Sequence, residues 1–270
     1  MKKLNYKKIL ITVLWIIAIA GLSTSLAFVA KREDQVKAAQ FIVEIHNNEE
    51  NAFLSESDVI DHLQQSAGKI LDQPYGSLEI PMLEKILNTH PAVENAEVSA
   101  TINGDVKVDV WQRKPLMRLI NRSGESYYLD SKGKVMPLNE NYSARVLLVT
   151  GEVEESYARR YQFSVEDISR NKLFSEVSLL DDIYSIGSCI AKDSLLSALV
   201  HQIYINKDKE FELYPAIGNH KIVFGEAKDV DEKFNKLKLF YTEGLNKSNG
   251  WQKYSAINLK YKNLVVCTRR

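Results

Sequence analysis

Cysteine is scarce in this chain. Cys189 and Cys267 are the only two in 270 residues, too few for a disulfide scaffold. In an oxidising compartment they could pair; otherwise they are expected as two buried thiols. An excess of charge is missing as well, with 35 basic residues against 35 acidic ones. Such a balance implies no basic face, which argues against a nucleic-acid partner. Catalytic signatures are also absent: no Gly-x-Ser-x-Gly elbow, no His-Glu-x-x-His, no phosphate-cradling glycine loop and no Cys-x-x-Cys. His46, His62, His90, His201 and His220 are isolated from one another along the chain, and no metal-ligand spacing recurs. Asp181-Asp182 could hint at a metal-dependent glycosyltransferase, but no nucleotide-binding βαβ series accompanies the pair, which reads as part of a helix face. No cofactor, metal or small-molecule substrate is therefore expected.

What the chain does have begins with Ile9 to Ala30, 22 residues without a charge. As a helix this run spans roughly 33 Å, enough for a bilayer core of about 30 Å. Ser25-Leu26-Ala27 and Phe28-Val29-Ala30 both resemble a cleavage site, yet the run exceeds the roughly 7–15 residues of a signal h-region, so an uncleaved anchor in the lipid bilayer is expected. Lys2, Lys3, Lys7 and Lys8 precede it, whereas Lys31 and Arg32 behind it are met at once by Glu33 and Asp34. Positive charge stays in the cytoplasm, so residues 1–8 form a cytoplasmic tail and the bulk lies outside. Beyond residue 30 there are 31 basic and 35 acidic residues, a net charge of −4. The 240 residues there exceed one typical domain, and two are expected.

The first domain, residues 38–113, opens with a strand over Phe41–Ile45. Ser55 and Asp58 have capping-box spacing ahead of a helix whose apolar face is Val59, Ile60 and Leu63. A second helix starts near Pro81, with Met82, Leu83, Ile86 and Leu87 at helical period, and stops at His90-Pro91. Ala96, Val98, Ala100 and Ile102 then alternate with polar residues up to Asn103-Gly104, and Val106, Val108 and Val110 alternate after it. An Asn-Gly pair between two alternating runs is a strong hairpin signal, expected as a type I′ turn. The order is β-α-α-β-β.

The second domain, residues 115–270, is less regular. Tyr127 to Pro137 reads as strand, turn, strand; the run lacks the spaced oxygen ligands of a calcium loop. Arg145–Thr150 reads as a buried strand, and Glu152–Lys172 gives little signal. Val177, Leu180, Ile183 and Tyr184 suggest a helix closing at Gly187. Gln202–Ile205 and Phe211–Tyr214 read as paired strands, and Lys221–Phe224 as a strand ended by Gly225. Val230, Phe234, Leu237 and Tyr241 mark an amphipathic helix capped at Gly244. Ala256–Leu259 and Leu264–Cys267 are the last two strands.

A β-α-α-β-β module just outside one anchor resembles a POTRA domain. Pro91-Ala-Val-Glu-Asn-Ala-Glu-Val98, the hairpin and Gln112-Arg113-Lys114-Pro115 resemble the POTRA region of the FtsQ/DivIB family of bacterial cell-division proteins. The commoner pattern has Glu at Gln112, and an Arg near Ser99 and Ala100. The C-terminal order also resembles that family, with Asn258 standing for the usual Asp and Lys260 for the usual Arg. The fold class implied is α+β: a single N-terminal transmembrane helix, a POTRA-like domain, and a larger, mainly antiparallel β domain with flanking helices. The function implied is a non-enzymatic divisome scaffold at the inner membrane. It would dock a small bitopic partner, FtsB, paired with FtsL, and other division proteins through the POTRA-like domain. By position, the resemblance puts Tyr254, Ile257, Leu259, Leu264, Val265 and Val266 in or near that contact. A terminal strand over 264–268 could offer an unpaired backbone edge for strand addition. A signal-anchored envelope enzyme and a POTRA-bearing secretion or assembly factor are the alternatives.

Overall fold

The computed structural model describes residues 6–33, 36–46, 53–101, 103–139, 142–157, 165, 178–248 and 250–270. Helix α1 runs over Tyr6–Glu33. Its described side chains are those of Leu10 and residues 13–25, and the continuous part is about 20 Å long. Among the described residues no helix is long and apolar enough to cross a membrane. The membrane span expected over residues 9–30 therefore rests on the sequence alone.

The chain divides into two compact units, one made of residues 1–46 and 54–112 and the other of 47–53 and 113–270. In the first, strand β1 (Gln40–His46) is followed by α2 (Glu56–Ala67), α3 (Ile80–Asn88), β2 (Val93–Ala100) and β3 (Asp105–Gln112). The order is β-α-α-β-β. The sheet runs β1-β3-β2, with β1 parallel and β2 antiparallel to β3. A parallel pair needs a long crossover, and the two helices provide it. The alternation read in β3 puts Val106, Val108 and Val110 inward, where they are buried, as are Val59 and Leu63 of α2 and Leu83 and Leu87 of α3. The Ser55 hydroxyl accepts from Asp58 N–H while the Asp58 carboxylate accepts from Ser55 N–H, completing the capping box. The hairpin turn closes with Gly104 N–H donating to Thr101 O. Gly104 has φ +91°, and a Cβ there would lie 2.2 Å from Lys37 O, so both dihedral and space demand glycine. Ile102 lies outside the described residues.

The second unit is built on a nine-stranded sheet. Its strands are β4 (Pro115–Ile120), β5 (Ser126–Asp130), β6 (Val135–Met136), β7 (Leu147–Gly151), β8 (Val200–Ile205), β9 (Phe211–Pro215), β10 (Lys221–Gly225), β11 (Tyr254–Asn258) and β12 (Val266–Arg269). They lie in the order β12-β11-β10-β9-β8-β7-β4-β5-β6. Five of the eight pairings are antiparallel, and β10–β11, β7–β8 and β4–β7 are parallel. Helices α4 (Leu180–Lys192) and α5 (Ser194–Leu199) precede β8, and α6 (Val230–Leu239) continues as a π turn over Phe240–Leu245. Met117, Leu119, Val149, Ile203, Leu213, Ile222, Phe224 and Ile257 from the strands share one core with Ile183, Ile186 and Ile190 of α4 and Phe234 and Leu237 of α6.

Two helix ends differ from the sequence expectation. Helix α4 does not close at Gly187 but continues to Lys192. Gly187 is instead a packing position: a Cβ there would meet Met117 Cε at 2.0 Å. Gly244 does not cap α6 but lies inside the π turn. Val177, expected in α4, lies outside the described residues. Strand β4 and helix α5 carried no alternation or period long enough to be read.

The Asp130 turn has a structural occupant. Arg113 Nη1 donates to Asp130 Oδ2 at 2.8 Å, and Asp130 Oδ1 accepts from the backbone N–H groups of Lys132 and Lys134. Both side chains of this ion pair are buried. Removing one partner leaves the other as an uncompensated buried charge. Asp130→Ala is therefore expected to cost about 3–5 kcal/mol in urea unfolding.

Histidines isolated in sequence meet in space. His62 and His90 stack edge to face, with ring centroids 5.0 Å apart. Burial, and then His62, hold the His90 imidazole down to about 4, from an ordinary 6.5. The folded state thus keeps His90 neutral, while the unfolded chain takes up the proton near 6.5. Stability is expected to fall as pH drops from about 6.5 to 4. Thermal melts across that range should show a smaller slope in His90→Gln.

The C-terminal edge as candidate functional site

Strand β12 is the last strand of its sheet and, among the described residues, pairs on one side only, antiparallel to β11, with Asn258 opposite Val266 and Ile257 opposite Cys267. Its other side is a row of backbone donors and acceptors, the template for strand addition. The sequence placed the strand over 264–267; the structure starts it at Val266, with Leu264 and Val265 in the connection before it. The hairpin is fixed locally. Asn258 Oδ1 accepts from Lys260 N–H at 2.9 Å, and Asn263 adopts a left-handed φ of +59°, a conformation asparagine tolerates. From below, Lys236 Nζ of α6 donates to the carbonyls of Leu259 and Tyr261. At the far end Arg270 N–H donates to Lys253 O, and the Arg270 guanidinium to Asn219 O.

The six residues expected at a partner surface separate into three groups. Ile257 and Leu259 are fully buried core residues, so they support the edge and do not form its surface. Tyr254 and Val265 are partly buried and pack on the core. Leu264 is 62% and Val266 46% exposed. They are joined by residues the sequence reading missed, Tyr261 and Leu239, both more than half exposed. Leu239 was detectable as the leucine of α6 lying off the Val230–Phe234–Leu237–Tyr241 stripe. A groove of about 910 Å³ runs between α6 and the hairpin, lined by Leu239, Phe240, Gly244, Asn263 and Val265 with Glu232 and Lys236 among the polar residues.

Behind the edge, His220 Nε2 lies 2.7 Å from the Tyr241 hydroxyl, and Tyr241 stacks on Trp251. Burial, with the Arg270 charge, lowers the His220 pKa. Both cysteines are free thiols. Burial and the neighbouring Asp231 push Cys189 up to about 11, and burial raises Cys267, which disfavours reactive thiolates. Asp181 and Asp182 occupy the first turn of α4, where the helix dipole favours negative charge.

Elsewhere, tertiary pairing brings Glu44, His46 and Asp109 within metal-ligating reach of one another. The Lys107 ammonium sits 3.5 Å from Glu44 and 3.0 Å from Asp109. Both carboxylates of the cluster are thus already paired with a cationic side chain. Gln112, where the commoner family pattern has Glu, is buried and its Oε1 accepts from Leu54 N–H at 2.8 Å.

The larger sheet of this α+β protein ends, among the described residues, in the open strand β12, rimmed by exposed leucine, valine and tyrosine, an edge of the kind that can take an added strand. Residues 114–268 match the family model described as FtsQ/DivIB, C-terminal related. Residues 37–111 match that of a POTRA-like domain. The chain belongs to the FtsQ/DivIB family, a family of non-enzymatic cell-division proteins. No individual curated protein matches it.

The division of labour within the hairpin has a measurable consequence. Ile257→Ala is expected to cost about 2–5 kcal/mol in urea unfolding, as a buried large-to-small change. Leu264→Glu should stay within about 0.5 kcal/mol of the parent, as a surface change.

Proposed function

We propose that this protein is a single-pass division scaffold whose C-terminal edge docks an FtsB-like bitopic protein paired with an FtsL-like one. Through them it links early division proteins to septal peptidoglycan synthesis. The observation that carries the reading is the open strand β12 with its apolar rim. A partner strand added there would gain main-chain hydrogen bonds from the edge, and selectivity from the pockets for alternate side chains. Arg269 and Arg270 discourage promiscuous pairing of the same edge. The POTRA-like domain, residues 38–113, would recruit other divisome proteins, leaving residues 115–270 for the FtsB-like partner.

The anchor belongs to the same proposal. Residues 9–30 would span the inner membrane, with residues 1–8 in the cytoplasm. In support, the run is uncharged, and the consecutive Leu14, Trp15, Ile16 and Ile17 of α1 are all exposed. Four consecutive positions cover every face of a helix, and a helix that is apolar all round belongs in a core or a bilayer.

The test is a binding assay with the purified complex of an FtsB-like and an FtsL-like protein from the same source. Leu264→Glu combined with Val266→Glu is expected to weaken binding at least tenfold, while thermal unfolding stays close to the parent's. Undiminished binding would sink the edge as the docking surface. In cells, a fluorescent fusion should form a midcell band and depletion should give filaments; diffuse envelope fluorescence with normal division would remove the division role itself.

A further inference from the structure

A second groove lies at the other side of the same sheet's core, where β4, β7 and β8 begin. It encloses about 720 Å³ between those strand ends and helices α4 and α5, a size within the usual range of binding pockets, roughly 300–1,000 Å³. Leu116, Val146, Leu147, Ile190 and Val200 form apolar walls. Arg145 and His201 stand at its rim, and among the described residues none that lines it is acidic. That is a local reversal of the acidic excess beyond residue 30.

Arg145 is one of the cations of this domain, Lys114, Lys134 and Arg269 among them, whose side chains make no hydrogen bond or ion pair among the described residues. Arg113, Arg122, Lys221, Lys238 and Lys260 each pair with a carboxylate, and Arg118 donates to serine hydroxyls. Among the described residues the side chains of Arg145 and His201 make no hydrogen bond or ion pair. Any molecule that covers the groove removes water from the guanidinium, and burying a charge without a partner is costly. A neutral apolar occupant would incur that cost in full. A carboxylate would remove it and gain a charge-assisted, bidentate pair.

We propose that this groove is a second docking site, for a partner-protein segment that carries an aspartate or glutamate beside two or three apolar anchors. The anchors would fill the space between Leu147, Ile190 and Val200, and the carboxylate would bridge to Arg145 with His201 beside it. The groove reaches β8, four strands from β12, or roughly 19 Å at the usual strand spacing. Occupation of one site therefore does not block the other, and the two can be tested separately.

Fluorescence anisotropy of the full chain with labelled helical peptides tests this. The peptides share leucines at i, i+3 and i+4 and carry a single Glu, Gln or Lys beside them. The Glu peptide is expected to bind about tenfold or more tightly than its Gln and Lys twins, in line with a charge-assisted pair. Arg145→Glu should remove that preference and favour the Lys peptide. Ala191→Trp, placed at an exposed position of α4 that lines the groove, should weaken all three. Circular dichroism melts of both variants should match the parent, since neither residue is buried. Absence of saturable binding, equal binding of the Glu and Gln peptides, or binding that neither variant changes would each overturn the proposal. Self-association abolished by Arg145→Glu would overturn it in favour of a second copy of the chain. None of these readouts involves β12, so they leave the C-terminal reading untouched.

Discussion

The burial of one face of the nine-stranded sheet is the constraint on which the larger unit depends. Met117, Ile203, Leu213, Ile222, Phe224 and Ile257 converge from five strands on the apolar stripes of α4 and α6. A sheet packed in this way can add strands sideways, but it must end somewhere unless it closes into a barrel. At one end it finishes in the very short, buried β6; at the other, in β12, whose single partner among the described residues is β11. The open edge is a consequence of how the core is built.

Both candidate docking surfaces are defined by what the core leaves over. Ile257 and Leu259 face inward and fix the hairpin, so Val266, one residue removed in register, must face out. The exposed rim and the buried support are thus alternate residues of one short segment, as the period of two in a strand requires. The Arg145 groove arises similarly, where strand ends and helix ends meet imperfectly. There Gly187 lets α4 press on Met117, while the cation at the rim finds no acidic neighbour among the lining residues.

The smaller unit was the more legible in sequence, for a physical reason. Its contacts are expressed by local patterns: alternating valines in β3, a Ser55–Asp58 capping box, and a glycine at a turn that admits little else. In the larger unit, β4 and α5 are short, and Gly187 and Gly244 act through tertiary packing and a π turn, so both were misread as helix ends. The partner set shows the same division. Leu264 and Val266 are exposed, Ile257 and Leu259 are buried, and the exposed Tyr261 and Leu239 come from elements that sequence spacing does not connect.

The sequence by itself determined the order of elements in the first unit, the identity of the last hairpin, and the uncharged run at the N-terminus. Local periodicity and turn chemistry suffice for these. Only the tertiary structure decided that β12 is an edge, that three pairings of the large sheet are parallel, that His62 meets His90, and that Lys107 pairs with both carboxylates of the cluster of Glu44, His46 and Asp109. Each of these depends on which distant segments become neighbours. That is settled by the joint packing of strands and helices into one core, and no window of sequence contains it.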